Sequence, residues 1–149
     1  MNQKQTTDLY ETDLYSWAKR NAALLRNGRL SEIDVEHIAE ELEDMGKSEQ
    51  RALASHIRNL LLHLLKWKYQ PSLRGASWEL SISNSRDAIE DILADSPSLQ
   101  PAFQALMEKM YPRARKAARI ETGLPDTLFP EECPFSADEI LSERFQPDS

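Results

Sequence analysis

One histidine among leucines, in the run HIRNLLLHLLKWKYQ, is the first residue of this chain that could do chemistry. His63 shares the run with Lys66 and Gln70, polar positions three and four residues apart on an otherwise apolar helix. Upstream, Glu40 and Glu43 are spaced to share a helical face, as are His37 and Glu40 or Glu41. An imidazole with two carboxylates can ligate a metal or transfer a proton. Arg74 and Arg86 add guanidinium forks, which suit carboxylate or phosphate. The candidate polar cluster is therefore Glu40, Glu43, His63, Lys66, Gln70, Arg74 and Arg86.

Metal chemistry is the weaker reading of this set. Di-iron bundles place Glu three residues before His, and none of the three histidines here has that partner. A mononuclear zinc site needs three or four converging ligands. A histidine hydrogen-bonded into the fold is favoured, with neither metal nor cofactor expected. The KWKY cluster with Arg74 and Trp78 could track a phosphate backbone, but helical geometry points Trp67 with the leucines and splays Lys66 and Lys68 away from it. Arg113, Arg115, Lys116 and Arg119 form a short basic run that reads as a solvated face. Cys133 has acidic, proline-rich neighbours and no adjacent histidine, so it reads as an inert thiol. No phosphate-binding glycine loop, zinc signature or nucleophile elbow occurs.

The elements that position these residues read as helices throughout. The 149 residues suit a single domain, and eight prolines against four glycines punctuate periodic segments. Residues 1–7 read as disordered. Asp8 to Asn27 reads as a first helix with Trp17 and Leu24 in its core, stopped by Gly28. A second helix starts at Ser31 with Ile33, Ile38, Leu42 and Met45 on its apolar edge. The third, Ser48 to Tyr69, carries His63 and ends before Pro71. As one rod, 31–69 would run to about 58 Å. A domain of this size has a radius of gyration near 15 Å. Gly46 and Ser48 therefore predict a break, and an antiparallel hairpin of 31–45 on 48–69. A continuous helix is the alternative, and its projecting leucines would require a partner chain.

Charge supports the hairpin. Between Ser31 and Gln50 eight acids face Lys47 alone, whereas 51–75 holds only basic charges. Adjacent segments of opposite sign predict pairing, with His63, Lys66 and Arg74 meeting acids of the second helix. Ser77 then caps a fourth helix to Asp95 with Leu80, Ile82 and Ile89 as core. A fifth runs from Pro97 to Thr122, with Pro112 expected to kink or break it. Residues 123–149 form a proline-rich wrap and a short last helix, where Ser136 and Glu139 make a capping box. The expected fold is all-α, a single-domain bundle of five or six helices around the central hairpin.

Five stretches carry a resemblance to a known family: YETDLYSWAKRNAALLRNG, DVEHIAEELEDMGKSEQRAL, LLLHLLKWKYQPSLRGASWELSI, ARKAARIETGL and FPEECPFSADEILSERFQP. Together they are similar to domain-of-unknown-function family 29, small bacterial proteins frequent in cyanobacteria. The resemblance implies an all-helical fold and supplies no activity, cofactor or partner. It includes Glu40, Glu43 and His63 in the family pattern, and leaves His37 and His56 outside it.

A net charge of −7 disfavours nucleic acid and anionic membranes as partners. A lone cysteine, no long apolar run and a polar acidic N-terminus predict a cytoplasmic protein. The expected function is a non-catalytic interaction or regulatory module that binds a protein partner or self-associates. The alternative is a metal-binding protein or enzyme using Glu40, Glu43 and His63, with Arg74 and Arg86 holding an anionic substrate. A second alternative is nucleic-acid association through Lys66, Lys68, Arg113, Arg115 and Arg119.

Overall fold

Asp13 decides where the first two helices part. The predicted helix over 8–27 is two helices, α1 (Gln3–Thr12) and α2 (Leu14–Arg26), because the Asp13 carboxylate accepts from Ser16 N–H at 3.1 Å and caps α2. The computed structural model describes residues 3–148, with side chains from Asp8 onward. Part of the stretch expected to be disordered, Met1 and Asn2, lies outside the described residues, and helix begins at Gln3. Gly28, at φ 70°, ends the α2 region in the left-handed conformation.

A 3-10 turn, Leu30–Glu32, leads into α3, Val35–Tyr69. This helix is unbroken for 35 residues, so the hairpin of 31–45 on 48–69 is not formed. The reason lies in Gly46. A glycine stops a helix by turning left-handed, which Gly28 and Gly123 do and Gly46 does not. Inside a helix a glycine costs only about 1 kcal/mol relative to alanine. The alanines, leucines, glutamates and lysines on either side of Gly46 outweigh that.

The chain packs as two compact units, residues 1–48 and 49–149, and α3 contributes to both. In the N-terminal unit Trp17, Leu24, Asn21 and Asp34 are buried. The C-terminal unit holds a larger apolar core. Six α3 side chains (Leu53, Ile57, Leu60, Leu61, Leu64, Leu65) are fully buried there. They meet Ile82 and Ile89 of α4 (Ala76–Asp95) and Phe103 to Ala118 of α5 (Phe103–Thr122). Leu80, expected in that core, is instead exposed.

Of the kink or break expected at Pro112, the break does not occur: α5 runs on through it. The lost N–H bond and ring clash cost about 3 kcal/mol. Burial of Met107, Met110, Tyr111, Ala114 and Ala118 along the same helix offsets that. After Gly123 the chain crosses the unit as a 3-10 turn (Asp126–Leu128), buries Phe129 and Phe135, and ends in α6, Ala137–Leu141. The capping box is as the sequence predicts: Ser136 N–H donates to Glu139 Oε1 at 3.0 Å, and Glu139 N–H donates to Ser136 Oγ at 3.1 Å. Six α-helices and no strand occur among the described residues, and the fold is all-α.

Candidate functional site

Trp17 carries a polar N–H into an apolar interior, so something buried must accept it. Asp34 does, at 2.9 Å, while only 3% exposed itself. The same carboxylate meets His37 Nδ1 at 2.7 Å and His37 N–H at 3.4 Å, which makes Asp34 the cap of α3. Asn21, one turn after Trp17, donates to the Trp17 carbonyl at 2.9 Å and accepts from Asp34 N–H at 2.9 Å. Tyr10 stacks on the His37 ring with centroids 3.9 Å apart and donates to Glu41 Oε1 at 2.6 Å. The N-terminal unit is thus locked by a polar network in which, among the described residues, no buried side-chain nitrogen or oxygen lacks a hydrogen-bond partner.

The charges follow from the contacts. Burial pushes the Asp34 carboxyl upward, but hydrogen bonds from Trp17 and His37 outweigh it and hold the group below its usual value. Its bond to Asp34 raises His37 above 6.5. The Glu41 bond raises the Tyr10 phenol, which stays neutral. A pH dependence follows. The His37 contribution is complete below about 6.5 and is lost as pH rises through its higher folded value. That of Asp34 is present above its unfolded value of about 3.9 and is lost as pH falls through its lower folded value. The His37 ring protons should titrate by NMR with a midpoint above 6.5, and Asp34→Asn should return it towards 6.5. An unchanged midpoint in that variant would remove Asp34 as the cause.

This network braces an open apolar groove of about 620 Å³ in the same unit. Trp17, Ala18, Ala22 and Leu25 of α2 line one side, and Ile38, Leu42 and Met45 of α3 the other. Leu42 is 61% exposed, Met45 67% and Leu25 45%. Ile38, Leu42 and Met45, of the expected apolar edge, are here half-buried or open to solvent. Glu41 and Asp44 are the only charged residues lining the groove among the described residues.

The residues that the sequence singled out are divided between the units. Glu40 and Glu43 are exposed on α3 in the N-terminal unit. His63, Lys66, Gln70, Arg74 and Arg86 belong to the C-terminal one. The predicted pairing of His63, Lys66 and Arg74 with acids of the second helix is replaced by other partners. His63 Nδ1 contacts the Asn59 carbonyl at 2.8 Å, one turn back. Lys66 reaches Glu121 at 3.4 Å and lies 4.8 Å from the Trp78 ring centre. Arg74 donates to the carbonyls of Trp67 (2.7 Å) and Pro147 (3.2 Å). Gln70 heads the 3-10 turn Pro71–Leu73. Arg86, 5% exposed, donates to the carbonyls of Ile140 (2.8 Å) and Phe145 (2.7 Å).

Arg74, Arg86 and Arg115 thus fasten the C-terminal segment by its carbonyl oxygens, with Tyr111 adding a bond to Pro130. Cys133 is half-buried, and burial raises its thiol above the usual value. Asp87, Glu90 and Glu143 bring carboxylate oxygens within 4.8 Å of one another, all three exposed to solvent, which screens their repulsion.

Comparison with known proteins adds one decisive match: a family model covers residues 9–146. The chain belongs to the DUF29 family, a domain of unknown function. No curated protein and no solved structure matches it. The DUF29 match spans both units, so the groove and the arginine-fastened C-terminal segment are parts of one family domain. No helix among its described residues is long and apolar enough to cross a membrane.

Sequence reasoning passed over Asp34 and Asn21 in this DUF29 chain. The signal was present: a core tryptophan needs an acceptor, and a mid-helix Asn one turn away is a poor helix former with another use.

Proposed function

We propose that this DUF29 protein is a non-catalytic, cytoplasmic interaction module that docks an amphipathic helix of a protein partner in the groove between α2 and α3. The observation that carries the reading is the exposure of Leu25, Leu42 and Met45 side by side over the buried Trp17. A contiguous apolar patch of this kind marks a binding face. Two helices flanking a trough are the receptor half of helix-in-groove recognition. Charge selects the occupant. With Glu41 and Asp44 on the groove and Glu40 and Glu43 beside them in sequence, a helix with lysine or arginine on its rim is favoured. A second copy packed symmetrically would set these acids against themselves.

The test uses a synthetic amphipathic peptide with leucines at i, i+3, i+4 and i+7 and lysines on its rim. It should bind saturably, and Leu42→Asp should weaken it about tenfold or more, since one buried leucine contributes roughly 1.5–3 kcal/mol. Circular dichroism should be unchanged, because Leu42 is outside the core. A glutamate-rimmed peptide of the same apolar pattern should bind more weakly. Equal binding to wild type and Leu42→Asp would sink the groove reading. A dimer in light scattering that Leu42→Asp dissociates would make the occupant a second copy.

A further inference from the structure

Five of the cations in the C-terminal unit are committed to the fold. Arg74, Arg86 and Arg115 donate to backbone carbonyls, and Lys66 and Arg119 pair with Glu121 and Asp126. Four others are not. Arg51 and Arg58 of α3 and Lys109 and Arg113 of α5 line one cleft of about 470 Å³. None of them forms an ion pair among the described residues, and no carboxylate lines the cleft. Ser55 adds a hydroxyl, while Ala54 and the buried Met110 supply apolar lining.

All four cations are exposed to solvent, which screens their repulsion and leaves them open to an incoming anion. Four like charges around one cleft repel one another, and the same cleft focuses a positive field on a chain of net charge −7. Two arginines on one helix and a lysine with an arginine on the other surround an anion from opposite walls. Arginine forks bond phosphate oxygens in pairs, and lysine adds a point charge.

We propose that the cleft formed by Arg51, Ser55, Arg58, Lys109 and Arg113 is a binding site for a compact polyphosphorylated anion. Three features select that class. No aromatic ring lines the cleft, so a single-stranded nucleic acid finds nothing to stack on. An extended duplex needs a long basic track, yet the neighbouring Arg115 and Arg119 are used internally and the net charge is negative. A single phosphate would leave most of the four cations unneutralised, whereas two or three linked phosphates would not. The site is independent of the groove on the N-terminal unit.

The probe is inorganic tripolyphosphate, titrated into the full chain by NMR and calorimetry at physiological salt. Shifts should centre on residues 51–58 and 109–113, and affinity should fall steeply with added salt. Arg58→Ala and Arg113→Ala should each weaken binding about tenfold, and Lys116→Ala should not. Both arginine variants should be at least as stable as wild type without tripolyphosphate, because each relieves repulsion. Phosphatidylcholine vesicles doped with a phosphatidylinositol bisphosphate form a second arm. Capture of the wild type, but not Arg58→Ala, on those vesicles assigns the phosphates to a lipid headgroup; tripolyphosphate binding without capture assigns them to a soluble anion. No saturable tripolyphosphate binding, or binding that neither arginine variant weakens, overturns the proposal. So does a DNA duplex that binds this cleft more tightly than tripolyphosphate.

Discussion

Asp34→Ala is expected to destabilise the N-terminal unit by about 3 kcal/mol. The carboxylate accepts from three donors: Trp17 Nε1, His37 Nδ1 and His37 N–H. Its removal leaves a buried indole N–H unpaired, which costs about 1–3 kcal/mol. It also removes the helix cap, worth roughly 1 kcal/mol. The Asp34 backbone N–H still donates to Asn21, so the turn before α3 retains one restraint. Asp34→Asn separates geometry from charge, because its amide oxygen can still accept from Trp17 without holding a protonated His37; about half the loss is expected. Amide exchange of α2 and of the first turns of α3 reads the effect locally, where global unfolding would average it away. Protection within about 1 kcal/mol of wild type in Asp34→Ala would show that the network does not hold the unit together.

The helical class and much of the core were legible because periodicity reports burial. Leu53 to Leu65, Trp17 and Leu24 are buried as their spacing demands, and the Ser136–Glu139 box is a local pattern with a local answer. What failed were inferences that depended on one backbone angle or on distant segments meeting. Gly46 can serve equally as a helix stop or as a mildly unfavourable helical residue, and nothing in its neighbourhood distinguishes the two. His63 and Lys66 instead meet the Asn59 carbonyl and Glu121, partners that segregated charge along the chain does not reveal. The continuity of α3 left Leu42 and Met45 exposed, an outcome the continuous-helix alternative foresaw. The cation cleft needed the packing of 51–58 against 109–113, which no local pattern encodes.

Arg86→Ala should cost the protein about 3–4 kcal/mol, and the sign of that change decides what Arg86 is for. The guanidinium is buried, and burial pulls its pKa below the ordinary arginine value, so the fold bears the expense of a charge taken from water. Its compensation is two short bonds to the carbonyls of Ile140 and Phe145, on either side of the end of α6. Hydrogen bonds to a charged donor contribute about 1.5–3 kcal/mol each, and some is regained when water reaches the freed carbonyls. Lysine has a single nitrogen and cannot span both oxygens, so Arg86→Lys should recover no more than about half of the loss. Urea midpoints give the magnitudes, and limited proteolysis should cut residues 140–148 faster in Arg86→Ala. Had Arg86 been kept to hold an anionic substrate, its removal would relieve a buried charge and leave stability unchanged or improved. A variant as stable as wild type would therefore discard the fastening role and restore Arg86 as a binding residue; a loss of the expected size makes it the clasp that holds the C-terminal segment to the core.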